Sequence, residues 1–537
     1  MNRSIVIKLF ISTFCAIFTL AGCKSPTPAQ LKKDLDREMY GMVDSKWRAE
    51  FGPRTNYKIQ GAESSPDDIK VSRLLPPGTV LGLPQAVAVA TDHNRAYQLE
   101  KDFLYMEAMD LRLERHKFDL IPFGAGDTGY VKDGADEAIT TGGTIGGEKL
   151  FKTGTRIGLG LTAAWVEVLT GNARSGLAGI LTVFLEQPLL RGSDPDIVLE
   201  DLTQAERNLL YRIRSFSRFR KKFVVTTIEQ YYTVLQYYDQ AENAKSNYQT
   251  LVDVYDYAQK LSEAGRLPRY ELEQAMQDKL IASDSVIQAE KDYKQAIDDF
   301  KLSLGVPTET QLQLDYNELM ILRAVDMKMP SFSEAQAIET ALANRLDLAN
   351  ATDAVKDAER KVLVAMDNLR SDLRIVAAAE QKRTTDPLAL SKPKDTAFVG
   401  LHFDPALDKV PQENAYRLAL IIVDQNMRAY EEKMDSVILD IREAYRDLAE
   451  AAQRYENQSE QLKLAKQRFD NTMNLLQYMR ANTRDVLDAQ KDLYRAQDEA
   501  TAALVNYTIA MLRFYRDVEI LQVKPDGMWQ TSVALDN

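Results

Sequence analysis

Cysteine and histidine are nearly missing. The 537 residues hold two cysteines, Cys15 and Cys23, and three scattered histidines, His93, His116 and His402. That scarcity argues against a disulfide framework, a Cys/His metal centre or a thiol nucleophile. No Gly-rich phosphate loop and no nucleophile motif is present either, so nothing points to an enzyme or to a bound cofactor. Positive charge is in deficit: 67 Lys and Arg face 79 Asp and Glu, a formal net charge of −12. This argues against nucleic acid as a partner. Proline and glycine vanish over long stretches, with neither between Pro195 and Gly265. About 70 residues without a breaker, opened by the capping sequence Ser193-Asp194-Pro195, read as one helix of about 105 Å.

The start of the chain reads as a targeting segment. Arg3 and Lys8 precede an apolar stretch, Leu9 to Leu20, that is too short to span a bilayer as a helix. Leu20-Ala21-Gly22-Cys23 follows and resembles a lipobox. Residues 1–22 are therefore expected to be a lipoprotein signal peptide and Cys23 the lipidated (palmitate-bearing) first residue. Such a chain is anchored to a membrane by its lipid. Lys24 in place of an aspartate favours the outer membrane. Residues 23–82 read as a tether with a charged amphipathic helix near Ala29–Glu50.

What the chain does have is a repeated alanine period. Ala275, Ala282, Ala289 and Ala296 recur every seventh residue, and so do Ala489, Ala496, Ala503 and Ala510 in the second half. A seven-residue period keeps one helix face against a partner, and alanine there lets two backbones approach closely. Two repeats follow, 83–307 and 333–522, joined by a linker at 308–332 and closed by a tail at 523–537. Each begins with a moderate helix (Leu83–Arg115, Ser333–Leu369). Each then runs through an alternating stretch, a helix about twice as long, a turn, and a shorter returning helix. The turns fall at Gly265-Arg266-Leu267-Pro268 and at Met479–Thr483. One short helix from each end, laid end to end, matches each long one, so the long helices gain the lateral packing they need. The tyrosines Tyr231, Tyr232, Tyr237 and Tyr238 read as packing between helices.

The alternating stretches read as strands. Ile157, Leu159, Leu161, Ala163 and Trp165 alternate with small or polar residues, and Leu181, Val183 and Leu185 continue the pattern, giving strands at about 155–190. Leu373, Ile375, Ala377, Ala379, and then Ala397, Val399, Leu401, Phe403, give strands at about 372–404. Runs of this length suit tilted strands crossing a bilayer. The Gly-rich stretch Gly124–Gly154 reads as an exposed loop or a ragged strand edge. Four strands cannot close a membrane barrel, and open edges are not tolerated in lipid, so a spanning chain must associate with others.

Three stretches resemble the outer-membrane efflux protein family, of which TolC is a member. Gln187–Gly192 (QPLLRG) is similar to the family's strand-to-helix junction, Thr483–Ala503 to the segment after its periplasmic tip, and Gly305–Thr310 to the exit from its first repeat. The resemblance covers about residues 83–522 and implies a lipoprotein-type outer-membrane factor. The implied fold is mainly α, with two repeats of coiled-coil helices forming a periplasmic α-barrel. Four strands per chain would enter a trimeric twelve-stranded outer-membrane β-barrel. The implied function is a gated duct for efflux or type I secretion, embedded in outer-membrane lipid. Its partners would be a homotrimer, a periplasmic adaptor (membrane fusion protein) and an inner-membrane RND or ABC pump. By the same resemblance Asp485 and Asp488, with Glu271 in the first repeat, would line the lumen at the gate. Gly265, Leu267, Pro268, Arg480, Ala481, Asn482 and Arg484 sit at the tip turns as candidate adaptor contacts. The competing reading is a periplasmic coiled-coil lipoprotein without a pore.

Overall fold

The computed structural model describes residues 27–59, 80–133, 136–170, 176–324, 333–385, 394–405, 407–478, 480–524 and 529–531. Cys23 and the expected signal segment lie outside the described residues, as does Met479 in the second tip turn. Among the described residues no helix is long and apolar enough to cross a membrane.

The first elements form a collar. Helix α1 (Pro28–Lys46) opens on a Thr27 capping box with Pro28 in its first turn. It buries Met39, Tyr40, Met42 and Val43, and Phe51 and Tyr57 beyond it are buried in the same cluster. Residues 28–59 are therefore part of the body, where a tether was expected. Asn56 bonds Thr91 at 3.1 Å, and the Ser217 hydroxyl donates to the Phe51 carbonyl at 2.7 Å. Arg220, fully buried, donates to the Pro53 carbonyl at 2.6 Å. Gly52, at φ +82, lies so close to that guanidinium that a Cβ would meet it at 2.9 Å.

Strand β1 (Val80–Leu81) leads to α2 (Leu83–His93) and α3 (Arg95–His116). The expected single helix breaks at Asn94, whose side chain accepts from the Tyr97 amide and donates to the Ser303 carbonyl at 2.6 Å. Strands β2 (Leu120–Asp133), β3 (Asp136–Leu150), β4 (Arg156–Thr170) and β5 (Gly176–Pro188) follow. A short helix α4 (Pro195–Val198) precedes α5 (Glu200–Glu263), and α6 (Arg269–Leu304) returns from the tip. β6 (Gln313–Leu314) pairs with β1, and α7 (Asn317–Ala324) covers the middle of α5. The second half runs through α8 (Glu334–Asn344), α9 (Leu346–Asp367), β7 (Asp372–Thr385), β8 (Lys394–Asp404), α10 (Val410–Gln477) and α11 (Thr483–Asp517). It ends in β9 (Leu521–Val523) and β10 (Trp529–Thr531), which pair with each other. Helix α11 stops at Asp517, short of the expected end near Leu521, because Glu519 turns to φ +69.

The sheet corrects the strand count. It has six strands in the order β2-β3-β4-β5-β7-β8, antiparallel throughout, where four were expected. The extra pair is β2–β3, formed largely by the stretch read as an exposed loop or a ragged strand edge. Glycine and threonine there carry little hydropathy contrast, which hid the alternation.

Beside the sheet the helices stand in a row. Above the middle, α3 packs on α5, α5 on α9, and α9 on α10. Toward the tip, α6 packs on α5, α5 on α11, and α11 on α10. One margin of the chain is therefore β2, α3 and α6. The other is β8 and α10.

Candidate functional site: sheet faces, equator and tip

Residues directly opposite in an antiparallel ladder share a face. Leu159 lies opposite Val183, Val183 opposite Ala379, and Leu161 opposite Ile145 and Leu181. Val399 and Leu401 continue that face through Ala377 and Ile375. This face is apolar and largely exposed, with Leu159, Val399 and Leu401 more than half exposed. Trp165 lies on it toward the far end and donates to Glu167 at 3.1 Å.

The other face is mostly small or polar, with Phe123, Phe184 and Phe398 among its residues. Thr144 and Thr162 share a hydrogen bond at 2.9 Å. Phenylalanine rings lie flat over glycines there: Phe184 over Gly158, and Phe123 over Gly146 with its edge reaching Gly160. A Cβ at Gly146 or Gly158 would run into the ring.

At the base of the sheet the QPLLRG stretch is tied on several sides. Gln187 accepts from Thr155, the Leu189 amide donates to the Leu373 carbonyl at 2.7 Å, and Arg191 reaches Asp372 at 3.1 Å. Gly192 turns to φ +69 and donates to Asp367 at 2.7 Å. The sheet is thereby fixed to the helices.

At the equator the two halves are joined by an ion ladder. Arg207 and Arg214 on α5 meet Asp353 on α9, at 3.1 and 2.8 Å. Arg218 reaches Asp347, which also accepts from Arg345 at 2.8 Å and Lys433 at 2.7 Å. Burial works to raise the Asp347 carboxyl, but these cations outweigh it and hold the carboxyl well below the usual range. Asp357 is lowered too, burial being outweighed by bonds from Tyr211, Arg360 and Gln204. The spacing Arg207–Arg214–Lys221 puts the cations on one face of α5, a sequence signal that gained meaning only with the partner helix in view. Lower down, Arg323 of α7 joins Asp239 of α5 at 2.7 Å and Thr501 of α11 at 2.8 Å.

The tip holds its own small core. Leu251, Val254, Ala258, Ala275, Ala282, Leu476, Val486 and Leu487 are buried together. Of the heptad alanines, Ala275, Ala282, Ala489, Ala496 and Ala503 are buried, and Ala289, Ala296 and Ala510 are half-buried. Gly265, at φ +72, donates to the Ser262 carbonyl at 2.9 Å and reverses the chain. Leu267 packs against the tip core, and Pro268 precedes α6 as its exposed cap. At the second turn Arg480, Asn482 and Arg484 are exposed and Ala481 is half-buried. Asp485 and Asp488 are exposed and Glu271 is half-buried. Asp485 also acts locally, since its carboxylate accepts the Asn482 amide at 3.1 Å and closes a capping box. Burial raises the Asp278 carboxyl; Lys491 of α11 opposes the rise and Asp488 of α11 adds to it. Among the described residues no cluster of His, Cys, Asp and Glu could hold a metal.

No protein-family model matches the sequence, and no curated protein matches it. Solved structures do match. The outer-membrane channel OprN superposes with a TM-score of 0.58 at 13% identity, covering 87% of this chain and 98% of OprN. The outer-membrane protein VceC of Vibrio cholerae gives 0.58 at 12%, covering 81% and 96%. The CmeC outer-membrane channel of Campylobacter jejuni gives 0.57 at 14%, covering 87% and 94%. Sheet, helical row and tip together give this chain the fold of the TolC-like outer-membrane efflux channels.

Proposed function

We propose that this chain is the outer-membrane channel of a tripartite export system, a passive duct from a periplasmic adaptor and an inner-membrane RND or ABC pump to the exterior. One observation carries the reading: a bilayer-height sheet, apolar on one face, ends in two margins that are unpaired among the described residues and continue down the helices. Open strand edges are untenable in hydrocarbon, so the margins need partners. The helical margins carry matching apolar stripes. On α3 these are Leu99, Phe103, Met106 and Leu113; on α10 they are Leu418, Ile421, Leu439 and Leu464, all exposed in the single chain. Two different margins meeting head to tail generate a closed ring when the rotation between copies closes. The fold relationship favours three copies, with Cys23 anchoring each to the outer membrane.

In that ring Asp485, Asp488 and Glu271 form acidic rings near a periplasmic gate, which favour cations and resist anions. The tip turns, Gly265 to Pro268 and Arg480 to Arg484, supply the adaptor's docking surface. The chain does no covalent chemistry, and the pump supplies the energy.

Purified protein in planar bilayers tests this reading. Discrete, cation-selective channels are expected, with selectivity reduced several-fold in the Asp485→Asn/Asp488→Asn double variant. A detergent-free, soluble monomer that never conducts would instead establish the pore-free scaffold.

A further inference from the structure

We infer that the membrane wall of the ring closes from eighteen strands, six from each chain, with the β2 margin of one copy zipped to the β8 margin of the next. This rests on the three-copy ring proposed above and departs from the twelve strands expected of it.

The β2–β3 hairpin is built as wall. Its strands are 14 and 15 residues long, against 15, 13, 14 and 11 for the other four. It pairs without interruption from Leu120–Lys149 to Asp133–Asp136. Its outer face has no charge from Leu120 to Tyr130 or from Ile139 to Gly147, and Asp127 points to the opposite, mostly small or polar face. Phe123 reaches from β2 across Gly146 of β3 to Gly160 of β4, so one ring ties three strands together. That tie explains why the stretch is glycine-rich: close contact between ring and backbone requires it.

A twelve-stranded wall would need the outer edge of β4 free to accept β8 from a neighbour. That edge is already filled by β3, from Arg156–Leu150 to Thr170–Glu137. Stripping it would orphan a row of backbone groups in lipid, where no water can satisfy them. The direction of the strands agrees. Six antiparallel strands end pointing opposite to the first, so a β8-to-β2 seam is antiparallel like every other pair in the sheet.

Strands about 4.8 Å apart, tilted by about 40°, give a wall about 36 Å across for eighteen strands against about 24 Å for twelve. The membrane section is then wide, water-filled and unselective, and cargo is sorted at the tip.

Cysteine pairs locate the seam, since the chain's two native cysteines lie at its start. Cysteine replaces Ile121 or Ala125 on the inner face of β2, combined with His402 or Thr396 on the inner face of β8. A parallel set combines Thr162 or Ala164 of β4 with the same β8 positions. Oxidation in outer-membrane vesicles is expected to convert at least one β2–β8 combination into covalent dimers and trimers and to leave the β4–β8 set monomeric. Links in the β4–β8 set, or none in the β2–β8 set, within a protein whose native mass is three chains, would overturn the eighteen-strand wall. A native mass other than three chains would instead remove the ring reading beneath it.

Discussion

The equator and the tip share the long helices α5 and α10 but are held by different forces. At the equator, long charged side chains interlock across the two halves: Arg345 is 3% exposed, bound to Asp347 and Asp440, with Arg218 and Lys433 closing on the same Asp347. The N-terminal segment and α7 pack against α5 there. At the tip the core is narrow, two heptad alanines fill its centre, and the principal bonds between α5 and α11 are neutral or half-neutral: Gln490 to Asn247 at 2.9 Å and Asn243 to Asp498 at 2.9 Å. A buried charge network has one good arrangement and loses heavily in any other. A thin seam of small residues loses little when it slides. Buried charge is thus concentrated mid-height, whereas the tip core is held by small and apolar side chains.

The largest effect is expected where the charges are buried. Arg345→Met removes the buried cation shared by Asp347 and Asp440, leaving Arg218 and Lys433 on Asp347, and should lower stability by about 1.5–3 kcal/mol, read by denaturant or thermal unfolding. A cost under about 1 kcal/mol would show the ladder to be ornamental and remove the contrast with the tip. Next is the tip core. Ala275→Leu forces bulk into a fully buried site and should cost about 1–3 kcal/mol, confined to the tip. Limited proteolysis near Gly265 should quicken while the main unfolding transition stays put; a shift of the whole transition would mean the two regions unfold as one.

The third concerns acid. Burial and the neighbouring Asp239 push the Asp498 carboxyl up to about 6, against bonds from Asn243 and Tyr494. Above about 6 the folded state carries a penalised charge. As pH falls from there toward the ordinary value of 3.8 the folded form takes up a proton first, so this group adds stability. Asp498→Asn should therefore stabilise the protein at pH 7.5 by on the order of 1 kcal/mol, allowing for partial exposure, and flatten the gain between pH 7 and 5. An unchanged pH profile would refute the assignment. The smallest effect is at the cap. Asp485→Ala removes a capping acceptor worth about 1 kcal/mol, whereas Asp485→Asn keeps an oxygen there and loses only charge. Equal hydrogen-exchange rates in α11 for both variants would show that the cap contributes nothing.

Much of the helical scaffold was legible in the residues. The proline- and glycine-free run to Gly265 and the seven-residue alanine period are local signals, and they mark α5, α6 and α11 closely. The strands β4, β5, β7 and β8 were legible because Leu159, Val183 and Leu401 alternate against small or polar neighbours. The hairpin β2–β3 was not, since glycine serves both faces and its partner, the Phe123 ring, lies on another strand. The ladder of Arg207, Arg214 and Arg218 was hidden for a related reason. Its acids, Asp347 and Asp353, sit far along the chain in the other repeat, and a charged helix face reads as solvated until its partner is known. Residues 28–59 looked like a tether because their apolar anchors, Met39, Val43 and Phe51, are few, although each is fully buried. At the tip, the exposed positions of Asp485 and Asp488 follow from the helix start at Thr483, but what faces them lies beyond a single chain.

The even count of strands has an evolutionary corollary. A single added strand would reverse the polarity of one margin and spoil its fit to the neighbouring copy, whereas a hairpin leaves both margins as they were. In the three-copy ring proposed above, bore size can thus grow by insertion in steps of two strands per subunit, six for the whole ring, without any redesign of the joints.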